Sequence, residues 1–261
     1  MFARLRGTKR PVAGTVPEEP AAPGAPRERP AHGRGSVRFV NVTKSYPSSH
    51  GQRKYIVRDC NLLFPAGKKI ALLGHNGVGK STMMRIISGA QDYDSGEIQC
   101  NGAMSWPIGF SGAFHPEMTG AQNARFVARV HGIDTDAMVD FVSDFSELGD
   151  YLDMPFRTYS SGMRARLAFG VSMAVPFDCY LVDEVTSVGD KRFRDKCAET
   201  FHTRLRSSSA IMATHNLSQI KSMCDMVAIL HDGELSLYPS IEEGLEVHKA
   251  NQKSPDKPRN N

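Results

Sequence analysis

What the sequence lacks narrows its identity before any motif does. No apolar run in its 261 residues is long enough to span a bilayer, so the chain does not cross a membrane by itself. Its most apolar stretch, Leu167 to Val182, is broken by Ser172, Pro176 and Asp178, and predicts a buried helix followed by a buried strand. The five cysteines, at 60, 100, 179, 197 and 224, are odd in number and show no paired metal-ligand spacing, which argues for reduced, mostly buried cytosolic thiols rather than a disulfide framework or a zinc site. The basic start is not followed by the apolar segment of a secretory signal. Instead 17 of the first 35 residues are Pro, Gly or Ala, which predicts a disordered leader over 1–35.

The chain is long enough for one sizeable core, or one core with an inserted lobe, but not for two full domains. A formal charge of +4 raises the question of nucleic acid, and its distribution answers it. The leader carries +4 and residues 248–261 carry +3, so the body between them is slightly acidic. Basic ends on such a body fit solvated tails or attraction to anionic lipid, and imply no nucleic-acid groove.

Past the leader, Val37, Phe39 and then Cys60, Leu62, Phe64 alternate as strands do, and Pro65-Ala66-Gly67 turns the chain into Lys69–Leu73, apolar enough to be buried on both faces. A strand of that kind running into a glycine-rich loop and a helix over 81–88 predicts a parallel α/β sheet with a ligand site at the strand's carboxyl end. The loop is Gly74-His75-Asn76-Gly77-Val78-Gly79-Lys80-Ser81-Thr82, which fits the phosphate-binding pattern G-x-x-x-x-G-K-[ST] at every fixed position. Glycines let backbone N–H groups close on phosphate oxygens, and the next helix turns its positive end to the same anion. Lys80 is the expected bridge between β- and γ-phosphates, and Ser81 the hard oxygen ligand for Mg²⁺.

A second element, Cys179-Tyr180-Leu181-Val182-Asp183-Glu184, is a buried strand ending in two acids. Beside a phosphate loop, Asp183 suits the Mg²⁺ shell and Glu184 a general base that polarises the attacking water. A third, Tyr159-Ser160-Ser161-Gly162-Met163-Arg164-Ala165-Arg166, is a serine cap opening a helix, which is also a phosphate receptor. One nucleotide does not need two such receptors from one subunit; two subunits sharing each ATP would use both. Taken alone, His215 after Ala210–Ala213 reads as a satisfied histidine closing a buried strand, and Tyr46 as a strand-end aromatic.

With Ala213-Thr214-His215-Asn216 following in order, residues 36 to about 245 resemble the ATP-binding subunits of ABC transporters. That resemblance implies an α/β fold of the ABC-type P-loop ATPase, with a mixed β core, an antiparallel β subdomain and an inserted helical subdomain at about 115–165 of a domain spanning 36–247, followed by a basic tail over 248–261. It implies ATP and Mg²⁺, a head-to-tail homodimer, and Ser160 and Gly162 as contacts to the ATP held on the partner's Lys80 loop. Tyr46 would stack on adenine, His215 contact the γ-phosphate, and Ser187 to Asp190 cross the dimer interface. Ser105 to Phe110, Phe114 to Gly120, Tyr159 to Phe169, Val185 to Asp190 and Arg192-Phe193-Arg194 look more narrowly like the subunits that export capsular polysaccharide. Subunits exporting O-antigen or teichoic acid share similar phrases, but many O-antigen members carry a carbohydrate-binding domain for which the stretch after Gly244 is too short.

The resemblance implies a peripheral protein on the cytoplasmic face of the bacterial inner membrane, partnered by a membrane permease and the polysaccharide export machinery. A soluble ABC ATPase acting on nucleic acid or ribosomes is the alternative of another class, and one phosphate loop without long insertions argues against it. The sequence departs from the ABC pattern in two places. The glutamine usual between the phosphate loop and the helical lobe is absent from 105–115, where Ser111 is the nearest polar residue, and Ser161 and Met163 stand where many ABC proteins have Gly and Gln. Within the lobe, Thr119 and Gln122 predict a capping box, and Phe126, Val127 and Val130 a buried stripe. Arg125 and Arg129 read as a solvated face; the resemblance, in which the lobe faces the permease, implies that Phe110 to Pro116 is the loop that receives it.

Overall fold

The computed structural model describes residues 33–48, 52–109, 112, 114–183 and 190–253. Two sheets share its core. Strands β1 (Ser36–Pro47), β2 (Arg53–Phe64) and β4 (Ser95–Asn101) form an antiparallel sheet in the order β2-β1-β4. The larger sheet runs β5-β6-β7-β3-β8-β9, from β5 (Met104–Pro107), β6 (Cys179–Asp183), β7 (Ser209–Ala213), β3 (Lys69–Leu73), β8 (Met226–His231) and β9 (Glu234–Tyr238). All its neighbours are parallel except β8 and β9.

Central β3 has period-two burial on both faces. Ile70 and Leu72 enter the core between the sheets, with Phe39, Ile56 and helix α1 (Lys80–Ile87), whereas Ala71 and Leu73 enter the core beneath the helices. The expected helix over 81–88 is therefore present, one residue earlier. That second core is built by α2 (Gly120–Val130), α3 (Thr135–Ser146), α4 (Ser161–Ala174), α5 (Lys191–Leu205), α6 (Leu217–Met223) and α7 (Ile241–Lys253). At the amino ends of the strands, Asp178 acts as a clamp. Its backbone exchanges hydrogen bonds with Ala103 and Ser209, its Oδ2 accepts from the Ala103 N–H at 2.8 Å, and its Oδ1 pairs with Arg34 at 3.2 Å, just before β1.

The segment between the sheets' halves holds α2, α3, two short 3₁₀ turns (Gly149–Asp153 and Phe156–Thr158) and the start of α4. Thr119 and Gln122 make the reciprocal capping box on α2. Buried Asn123 ties its approach, with its Oδ1 accepting from the His115 N–H and its Nδ2 donating to the carbonyls of His115, Met118 and Thr119. The apolar stripe expected on α2 is a correction. Phe126 and Val130 are 55% and 64% exposed, and only Val127 of the expected stripe is buried, on a face it shares with Ala121, Ala124 and Ala128. Small residues let α2 pack closely on its neighbours, so the helix is turned away from the face its bulkiest side chains mark. Arg125 does lie on the surface, paired with Asp136 at 3.5 Å.

The leader up to residue 32 lies outside the described residues, and residues 248–253, read from sequence as tail, continue α7. Four cysteines are buried and Cys100 half-buried, none bonded to another; burial pushes the Cys60 and Cys100 thiols up to about 11.

Helix α7 sits on β8 at Gly244, where an added Cβ would lie 2.6 Å from the Cβ of buried Val227. Gly244→Ala is expected to lower stability by about 1–3 kcal/mol through overpacking, read as a lower urea midpoint with an unchanged slope; an unaltered midpoint would show that α7 floats rather than packs.

Candidate functional site

Between β3 and α1 the phosphate loop folds back on itself. Gly79 has φ +119°, and a Cβ there would come within 2.5 Å of the Ile56 side chain, so the loop sits against β2 through a contact only glycine permits. The Lys80 Nζ donates to the Gly74 and His75 carbonyls, at 2.8 and 3.2 Å, and closes the loop in the manner of a staple.

This loop is one wall of a cavity of about 560 Å³. From it come Asn76, Gly77, Gly79, Lys80, Ser81 and Thr82; from the sheet ends come Asp183, Ala213 and His215; from β1 and β2 come Tyr46, Lys54 and Ile56. The donor set suits a nucleoside polyphosphate: backbone amides and an ammonium for phosphate, an aromatic ring for a base, and the hard oxygens of Ser81 and Asp183 for Mg²⁺. Tyr46 is partly exposed, with Lys44 over its ring at 4.9 Å. Its hydroxyl accepts from the Gln91 amide, and that bond, helped by Thr82, holds the phenol below its usual pKa. His215 is held in a turn set by its neighbours. The Thr214 hydroxyl donates to Gln219 and accepts from the Asn216 N–H, and Asn216 caps α6.

Not every residue of the motif reaches the cavity. Val78 is core, and His75 and Gly74 face the other way, toward a cleft shared with His231, His248, Asn251 and Gln252. Ser160 and Gly162 are not among the described residues that wall the cavity. Ser160 caps α4, accepting from the Met163 N–H, and both it and Gly162 are exposed. The sequence-predicted Glu184 lies outside the described residues, as do Ser187, Phe110 and Ser111. Asp190 is described: it caps α5 and pairs with Arg166 of α4 at 3.3 Å, linking the helix that starts at Ser161 to the segment leaving Asp183.

Motif reading missed two contributions. Lys54 and Ile56 lie more than a turn of chain before the loop, and only the β1–β2 register, which sets Tyr46 opposite Lys54, brings them in. Helix α7 was missed because nothing in its sequence marks it as a neighbour of the loop, yet His248 touches both the cleft behind Gly74 and a cavity of about 210 Å³ shared with His215. Burial first, then the charges of Lys80, His215 and His231, depress the His248 pKa.

Comparison with known proteins gives these likenesses. The family model described as ABC transporter matches residues 57–187. The polysialic acid transport ATP-binding protein KpsT of Escherichia coli is 44% identical over 219 residues, 83% of this chain and 97% of that protein. The ATP-binding protein BexA of Haemophilus influenzae is 42% identical over 83% of this chain and all of its own length. Among solved structures, the dimeric post-hydrolysis ATP-binding cassette MJ0796 bound to ADP and Pi superposes with a TM-score of 0.64 at 18% identity, covering 78% of this chain and 98% of that one, a likeness of fold.

A depressed histidine pKa means that the folded protein takes up that proton less readily than the unfolded chain. Stability is then full above the ordinary histidine range and falls as pH drops through it, roughly from pH 7.5 to 5. His248→Gln removes one such group, so the loss of urea midpoint across that interval is expected to shrink; an identical loss in the variant would show that His248 does not titrate there.

Proposed function

Because the chain belongs to the ABC transporter family of ATP-binding proteins, we propose that it drives export of a capsular polysaccharide as one half of a head-to-tail dimer beneath a membrane permease. It is an ATPase of that family, with the α/β fold of ABC ATP-binding domains. No helix among the described residues is long and apolar enough to cross a membrane, which fits a peripheral seat on the cytoplasmic face of the bacterial inner membrane.

One observation supports this reading above the others. A single cavity gathers Tyr46, Lys80, Ser81, Asp183 and His215, while the capped start of α4 at Ser160 and Gly162 stands exposed outside it. In a head-to-tail pair, that exposed helix end supplies the second phosphate receptor to the nucleotide held by the other copy. Lys80 then exchanges its bonds with the Gly74 and His75 carbonyls for β- and γ-phosphate oxygens, His215 meets the γ-phosphate, and Tyr46 stacks on adenine. Ser81 and Asp183 would hold Mg²⁺, which when bound neutralises charge on the phosphate oxygens. Glu184 takes the proton from the attacking water. ATP binds the closed pair far better than the open one, so loss of the γ-phosphate withdraws the preference and the pair opens. The loop from Phe110 to Pro116, steadied at its end by Asn123, is the proposed seat of the permease, and the polysaccharide machinery lies beyond it. The capsular assignment takes its support from relatives that match nearly end to end, among them a polysialic acid transport protein of Escherichia coli and a capsule polysaccharide export protein of Neisseria meningitidis.

Glu184→Gln is expected to cut turnover by about 10²-fold or more while an ATP-dependent dimer accumulates on a sizing column. In the native host the same change should empty the cell surface of polymer and leave it inside. Rapid hydrolysis without a dimer would remove Glu184 from its role, and an unchanged surface would redirect the search to another substrate.

A further inference from the structure

Lys54 lies on β2, far from every motif, yet it forms part of the cavity wall. The strand register sets it directly across from Tyr46. Its ammonium donates to the Gly77 carbonyl at 3.1 Å, at the bend of the phosphate loop opposite the end that Lys80 secures. That bond uses one of three N–H donors, and among the described residues no carboxylate lies within ion-pair distance of it. An exposed lysine with no carboxylate partner among the described residues, bonded to the phosphate loop, adds to the positive field of that cavity.

We infer that Lys54 is a second phosphate-binding cation of this site, contacting the nucleotide's phosphate chain between the base on Tyr46 and the terminal phosphates on Lys80. The inference rests on the nucleotide reading of the cavity. Tyr46 fixes the base end and Lys80 the far end, and Lys54, paired across the strands with the first and bonded to the middle of the loop, lies between them. Its contact is to the part of the phosphate chain common to ATP and ADP, so it strengthens binding of both and contributes little to the difference between them. Holding the substrate equally before and during reaction, it acts on KM rather than kcat.

The test is the affinity of the full-length protein for ADP and ATP, by competition with a fluorescent nucleotide, together with steady-state turnover. Lys54→Ala is expected to weaken both nucleotides about five- to tenfold and to raise KM by the same factor with kcat within about twofold, the deficit shrinking as salt is raised. Lys54→Arg should keep most of the affinity. Lys54→Gln can still donate to the Gly77 carbonyl but carries no charge, and should fall with Lys54→Ala. Full affinity in Lys54→Gln would overturn the inference and reduce Lys54 to a brace for the loop, as would unchanged affinity in Lys54→Ala. If the unmodified protein bound neither nucleotide, the nucleotide reading itself would fail, which is a separate result.

Discussion

The structure depends on a strand that cannot reach water on either face. β3 is enclosed by two cores and hydrogen-bonded on both edges, to β7 and β8, so its carboxyl end is fixed in position before any ligand is present. The loop that leaves it must turn into α1 within a few residues, and it does so through the positive-φ glycines Gly74, Gly77 and Gly79. Amides in that position are costly to leave without a partner, and an anion satisfies them best. The same parallel arrangement brings the ends of β6 and β7, with Asp183 and His215, to the same edge of the sheet. The chemistry of the site thus follows from the parallel order of β6, β7 and β3 more than from any single side chain.

Much of this was legible in the sequence because the relevant signals are local. The phosphate loop, the Thr119–Gln122 box, the Ser160 cap and the doubly buried β3 each depend on residues within a few positions of one another, and local sterics decide them. What was not legible depends on contacts distant in sequence. Phe126 and Val130 point outward because the neighbours of α2 select its alanine face, a choice made by packing partners rather than by hydrophobicity along the helix. Lys54 enters the site only through strand register, and α7 only because Gly244 lets it settle on β8.

The site is also more cationic than its motifs suggest. Lys54 and Lys80 bind carbonyls of the same loop from two sides, His215 lines the same cavity, and His231 and His248 line the cleft behind Gly74. Burial first, and then the charge of Lys80 with the neighbouring imidazoles, opposes protonation of His248 and depresses its pKa. A bound polyphosphate offsets that charge. Nucleotide affinity and the protonation of His248 are therefore linked through charge.

The Asp178 clamp has a consequence for how the chain can be handled. It fixes Arg34 at the amino ends of the parallel strands, whereas α7 delivers Asn251 and Gln252 beside Gly74 and His75 at the carboxyl ends. A five-residue strand separates the two levels by roughly 17 Å. A fluorescent label or affinity handle joined ahead of residue 33 therefore starts on the side of the sheet remote from the phosphate loop. One joined after Lys253 starts at the carboxyl ends, beside the cleft that α7 shares with Gly74 and His75.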